Sequence, residues 1–543
     1  MQIKNNQNGS ALLSVMLLFL VFTILGLTLL SVSIGGAKRT EFRETEVTGN
    51  LDSIKAVKEG TAIVQSYVKL NQKELLKEDA AAFKKKFQEK IINAINNNYN
   101  SKKEMYFTLA DISEEYKDQI GADSFTRVIE VRSEEHKQKV YITAMPSFLK
   151  YALGSRSQLT MNGSPFIQGN LYSKEPMQIS RDTNYKYQKN YFSTPTELPA
   201  VKENSRLFVE EGSLDICTSP GCYTAGNSWI KNESNWRSIL PGQLQEAFST
   251  KAPLYEEEKS QFVDVDIPKT FQDKLMETGF DLTGFNDDLS DAEKIEYIKE
   301  KLSGYLPDKV RQITNFSSFS GNNSTKGFIY KGTAEIDTDD LTLDKDQWLI
   351  IDGNATIESR AFSRMDVNAN ILITGNLIIS GDVSFNSVIY VLGDTTLKNV
   401  NITCYKNLCS DNPAGTAPDA QLILMTQGRL EISRINSFMD LGNNTNKITG
   451  YLYTNSQADI YAVGSLLNIN GGIFSYDDLV VNSYRGNARG GKADLLFTPL
   501  VKPEESRFTV TNNKRLFLNQ LQALPRVDGF EVIPELMEKI KRK

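Results

Sequence analysis

The chain has one histidine in 543 residues, and that scarcity removes most histidine-based catalytic and metal-binding schemes at once. With Glu134, Glu135 and Lys137 beside it, His136 is expected in a solvated turn. Cysteine is nearly as scarce, with four residues in two equal spacings, Cys217-x4-Cys222 and Cys404-x4-Cys409. A disulfide-dense scaffold is therefore excluded, and an even count suits two local disulfides in an exported chain. The competing arrangement is a four-thiolate zinc site joining two distant loops. Neither sign of charge dominates: 61 Lys and Arg stand against 67 Asp and Glu, so no nucleic-acid partner is expected.

Charge is missing altogether from Ala11 to Ala37. At about 1.5 Å per residue the run from Ala11 to Ile34 makes a helix of roughly 36 Å, enough to cross a hydrocarbon core of about 30 Å. A transmembrane helix over 10–37 is expected, longer than the apolar core of a secretory signal peptide. Ahead of it lies a polar leader, 1–9, with Lys4 as its one cation and Gly9 at its end; Ser10 opens the apolar run.

These residues resemble the class III leader of type IV prepilins, and Gly9-Ser10-Ala11-Leu12 resembles the junction of PilX-like minor pilins in particular. The resemblance covers roughly the first 70 residues. It implies cleavage between Gly9 and Ser10 by a prepilin peptidase, and pilin-like subunits as partners beside the lipid bilayer. Ser14 stands where major pilins carry a glutamate, so a minor, tip or accessory role is implied rather than that of a bulk subunit.

Downstream, Val47, Leu51, Ile54, Val57, Thr61, Val64 and Val68 recur at three- and four-residue steps, the stripe of an amphipathic helix. Leu76, Ala80, Phe83, Phe87, Ile91 and Ile95 predict a second helix. Alternating segments at 105–109, 125–132 and 139–143 predict strands, with SEEHKQ as a hairpin turn. Together these make a helical stalk with a small α+β domain over 38–148.

A repeat then sets in. LIIDGNATI at 349–357, ILITGNLII at 371–379 and IYVLGDTTL at 389–397 each place a glycine with Asn or Asp between two apolar runs. Gly353, Gly375 and Gly393 lie at solenoid-like spacing. The expected fold is mainly β, a right-handed parallel β-helix, with a first coil at 149–180, an inserted α+β region at 181–325 and the main solenoid at 326–502. Within the insertion, Ser290-Asp-Ala-Glu293 predicts a capping box. The tail, 503–543, is expected to cap the solenoid and close as a basic helix, PELMEKIKRK at 534–543.

Motifs for chemistry are weak. Gly486 to Lys492 fits G-x-x-x-x-G-K, but Ala493 replaces the hydroxyl residue a phosphate loop needs, so a glycine-rich turn is expected. Asp337, Asp339, Asp340, Asp344 and Asp346 could suit calcium, yet the EF-hand spacing is absent. Glu335, Asp352, Glu358 and Asp366 could serve a glycan-active β-helix, but no spacing singles out a pair. No catalytic residue, cofactor or metal is expected.

The sequence thus predicts a single-pass membrane protein with its bulk at the cell surface, assembling with a filament or binding a surface polysaccharide or protein. Two rivals remain: a membrane-tethered polysaccharide-active enzyme, and a cytoplasmic β-helix scaffold. The second draws on Lys38, Arg39 and Arg43 following the span while only Lys4 precedes it.

Overall fold

The computed structural model describes residues 8–540, apart from 77–79, 101–106, 117–124, 211–212, 258–261, 263, 283, 285–287, 317–323, 361–362, 408–420, 434–446, 514–522, 526 and 528. It begins with one unbroken helix, α1 (Asn8–Leu75), whose first part is apolar and whose last part is amphipathic. From Ser53 onward one stripe of α1 is buried, and Ala56, Val57, Val64 and Val68 pack into a shared core. Gly60 sits at the closest approach, where a β-carbon would lie 2.7 Å from the Phe107 ring and 2.8 Å from Val131.

That core is completed by α2 (Ala80–Phe87), a π-helical turn at Gln88–Asn93, α3 (Ala94–Asn100) and an antiparallel sheet. The sheet comprises β1 (Thr108–Asp111), β2 (Thr126–Arg132) and β3 (His136–Thr143). His136 opens β3 and is only 7% exposed, with Nδ1 3.1 Å from Ser53 Oγ on α1. The turn is confined to 133–135, which corrects the expectation of a solvated histidine: Glu134 faces water while strand alternation turns the ring inward.

The expected C-terminal helix is also corrected. Glu531–Pro534 is a strand paired antiparallel with β3, and Glu538–Lys539 pairs with the start of the same strand. A lone helix of about ten residues is marginal in water, whereas the open edge of β3 accepts the backbone of Glu538–Lys539 directly. Val527 and Phe530 are buried beside Phe83, which stacks on Phe530 at 5.5 Å.

Beyond Pro146 the chain builds one 28-stranded, mostly parallel sheet. Three ladders run through it. The first passes in order through Val310–Gln312, Gly327–Lys331, Trp348–Asp352, Asn370–Ile373, Ser387–Val391 and Leu422–Thr426. It continues through 450–454 and 471–475. A second ladder starts at Ala334–Ile336 and Ala355–Glu358, and a third at Asp340–Thr342 and Met365–Asn368. Alternate residues of all three ladders meet in one apolar core, including Leu349, Ile371, Ile389 and Leu424 from the first ladder.

The turn after each first-ladder strand explains the glycine repeat. Asn354 Oδ1 accepts from Asn376 N at 2.9 Å, Asn376 Oδ1 from Asp394 N at 2.8 Å, and Asp394 Oδ1 from Arg429 N at 2.8 Å. In the same column Gly375 N donates to Gly353 O, Gly393 N to Gly375 O and Gly428 N to Gly393 O. A β-carbon at Gly393 would lie 2.3 Å from Asn376 Oδ1 and 2.6 Å from Gly375 O, so no larger residue fits the stack.

The strand series does not follow chain order. Segment 473–475 pairs with Leu153–Ser155, and Leu479–Ser483 with Leu159–Gly163. Residues 153–180 therefore sit inside the series, flanked on their other side by Arg206–Val209 and Leu214–Cys217. The ladder extends from there to Leu254–Glu257. Much of the expected insertion thus pairs into the ladders, and the helical excursion is confined to the chain around α4 (Ile267–Thr278) and α5 (Asp291–Ser303).

These two helices pack along the outer side of the first ladder. Ile267, Phe271, Leu275, Ile298 and Leu302 share an apolar cluster with Ile350, Leu372, Tyr390 and Tyr453. Local chemistry starts both helices: Asp266 caps α4, and the Ser290/Glu293 pair forms a reciprocal capping box on α5. α4 ends at Gly279, whose φ of 108° suits a left-handed C-cap.

Candidate functional site

The apolar part of α1 is the feature with the plainest physical demand. From Leu12 to Glu41 its mean hydropathy is 2.7 and none of the span is buried. Seventeen large apolar side chains between Leu12 and Ile34 are exposed. At about 1.5–3 kcal/mol each, keeping them in water would cost roughly 25–50 kcal/mol. This stretch is long and apolar enough to cross a membrane. Gly9 and Ser10 lie in the first turns of α1, and their side-chain surroundings are outside the described residues.

Three or more turns beyond the apolar stretch, α1 is clamped to the sheet. Thr61 Oγ1 donates to Gln138 Oε1 at 2.9 Å, while Ser53 Oγ contacts both Ser133 Oγ and the His136 ring. A second clamp joins the sheet to the ladders. Lys150 Nζ lies 3.3 Å from Glu531 Oε2, with both residues buried, and Ser147 Oγ donates to the other carboxylate oxygen. Tyr390 Oη donates to Ala523 O at 2.7 Å, so the returning chain touches the ladders before it reaches β3.

A charged cluster lies where the chain leaves for α4. Arg156 bonds Tyr172 Oη and Glu210 Oε1, and its Nε is 3.2 Å from Asp264 Oδ1. The Phe262 ring lies 4.5 Å from the guanidinium carbon. Burial holds the Asp264 carboxyl above its ordinary value against the pull of Arg156, and burial likewise raises Tyr172. Every group here is engaged with another, and the cluster pins the crossing segment to the ladders.

The other candidates are dispersed. Cys217 and Cys222 form a disulfide. Cys404 is disulfide-bonded, and Cys409 falls outside the described residues. Among the described residues no group of three or more His, Cys, Asp and Glu could hold a metal ion. Within the acidic stretch, Asp337 pairs with Arg360, Asp340 with Lys406 and Asp346 with Lys326. Glu335 and Glu358 lie on the second ladder, opposite Thr356 and Ser380. Asp366 lies on the third, bonded to Ser384 and Arg364, and Asp352 ends a strand of the first. The phosphate-loop lookalike is the hairpin of Gly486–Gly490 and Leu495–Pro499, with no helix following.

One arrangement escaped the sequence reading. Trp229, Tyr191 and Tyr461 come together, with Trp229 6.0 Å from Tyr461 and 4.8 Å from Tyr191 between ring centroids. Burial pushes the Tyr461 hydroxyl up to about 12, with Asp459 adding to the shift. These residues come from three separate hairpins and strands, so no local spacing could have revealed them.

No family model matches the chain, and no curated protein matches it. Among solved structures, the crystal structure of the competence-associated pilin ComZ from Thermus thermophilus is similar at 9% identity. The match covers 80% of this chain and 84% of that chain, with a TM-score of 0.24. A likeness at that level carries no argument about function.

Proposed function

We propose that this is a single-pass membrane protein of the type IV pilin kind, a minor or assembly subunit whose large β domain is displayed outside the cell. The observation that carries the reading is α1 itself: one continuous helix whose exposed apolar half leads into a half built into the folded core. The leader ending at Gly9, with its resemblance to PilX-like prepilins, supports cleavage before Ser10. The Cys217–Cys222 disulfide favours an oxidising compartment over the cytoplasmic scaffold.

In this reading the three parallel ladders are the faces of a right-handed parallel β-helix, each coil adding one strand to each face, supported by the regular return of each ladder and the shared core. The role is structural: a rigid platform for filament assembly or surface binding, with no reaction assigned. Mass analysis of the N-terminus from native membranes tests it. A chain starting at Ser10, with the β domain open to protease on intact cells, is expected. A chain starting at Met1, with the domain protected, would sink the pilin reading.

A further inference from the structure

We propose that Trp229, Tyr191 and Tyr461 form the wall of a glycan-binding site whose floor is the outward face of the second ladder. Tyr461 stands on Ala458–Ala462, and the neighbouring strands are Leu430–Ser433 and Thr395–Cys404. In strand alternation Leu430, Ile432 and Leu397 point into the core, so Glu431 and Lys398 point out, and both are exposed. Arg429 closes one side, paired with Asp459 while its side chain stays 59% exposed. The rings are half-exposed and stand beside hydrogen-bonding groups set one strand apart.

The wall is fixed before any ligand arrives. The Tyr223–Ala225 and Trp229–Lys231 hairpin springs from the Cys217–Cys222 disulfide, and Asp182 Oδ2 accepts from Gly221 N at 2.8 Å and Cys222 N at 2.7 Å. Trp229 Nε1 donates to Phe192 O at 2.7 Å, which sets the indole's tilt. Such pre-ordering lowers the entropic cost of binding.

The chemistry selects a sugar over a peptide. Leu430–Ser433 is paired on both sides, so an extended peptide cannot join as a strand. A pyranose instead offers C–H faces to the rings and hydroxyls to the guanidinium, carboxylate and ammonium groups beside them. This deepens the surface-display reading and rests on it only for where a glycan would be met. Binding by the purified chain succeeds or fails independently of where the leader is cut.

The test is calorimetric titration of the full chain in detergent with three hexaoses, of N-acetylglucosamine, glucose and galacturonate. Saturable binding of one of the two neutral hexaoses is expected, weakened about tenfold or more in Trp229→Ala and in Tyr461→Ala. Tyr476→Ala, at an exposed ring elsewhere, should bind as the parent does. Should Trp229→Ala misfold, Lys398→Ala and Glu431→Gln on the exposed floor are expected to weaken binding with an unchanged thermal transition. Binding of no hexaose, binding by both ring variants as tight as the parent's, or salt-sensitive binding of galacturonate alone that ignores Tyr461→Ala would each overturn the proposal.

Discussion

Gly393 offers the sharpest test of how the ladders are held. Its N–H donates to Gly375 O at 3.1 Å, and the following amide, from Asp394, donates to Asn376 Oδ1. Gly393→Ala would put a methyl 2.3 Å from that side-chain oxygen and 2.6 Å from backbone that has nowhere to go. Overpacking of this sort costs about 1–3 kcal/mol, and each hydrogen bond lost from the column adds about 1 kcal/mol. A total of about 2–4 kcal/mol follows, or roughly 2–5 °C in the midpoint of thermal unfolding at about 2.1 cal/mol/K per residue for a domain this large. Two controls separate crowding from conformation. Gly332 has φ +104° with nothing within 4 Å of a β-carbon, so Gly332→Ala should cost only the backbone strain, about 1–2 kcal/mol. Gly226 has neither constraint, and Gly226→Ala should leave the midpoint within about 1 °C. Circular dichroism melts of the full chain in detergent would report all three. A Gly393→Ala midpoint equal to that of Gly226→Ala would refute the argument that these columns demand glycine.

Two further outcomes follow from groups already placed. Lys150→Met leaves Glu531 charged and buried, so it should destabilise by about 3–5 kcal/mol and free the C-terminal strand; limited proteolysis that spares residues beyond 523 would count against this clamp. Because burial raises the Asp264 pKa in the folded state, folding binds its proton more tightly, and its contribution to stability falls as pH rises from the ordinary 3.8 through the raised value. Asp264→Asn removes that loss, so urea unfolding should show the variant gaining on the parent between pH 4 and pH 7. A difference constant with pH would contradict it.

Local signals in the chain were readable where one element makes its own structure. The α1 span, the Ser290 capping box and the Gly-Asn repeats all follow from contacts within a few residues or between adjacent repeats. What stayed hidden depends on contacts distant in sequence. Segment 534–543 looked helical because its reason to be extended, the free edge of β3, lies nearly 400 residues away, as in the Gln138 to Glu535 hydrogen bond. His136 looked solvated because Ser53 is invisible from its neighbours. The ring cluster at Trp229 is hidden for the same reason.

The seam between residues 153–163 and 473–483 also sets a timetable. Asn162 bonds Asn482 across 320 residues, so one side of the first strands of the large sheet has no partner until most of the chain exists. At about 5–20 residues per second, translation alone leaves that edge open for on the order of tens of seconds. Strands Leu153–Ser155 and Leu159–Gly163 are therefore the place where a holding factor, or a premature neighbour, would act during biogenesis. The final joining of the two halves is a long-range step, and it is expected to be slow.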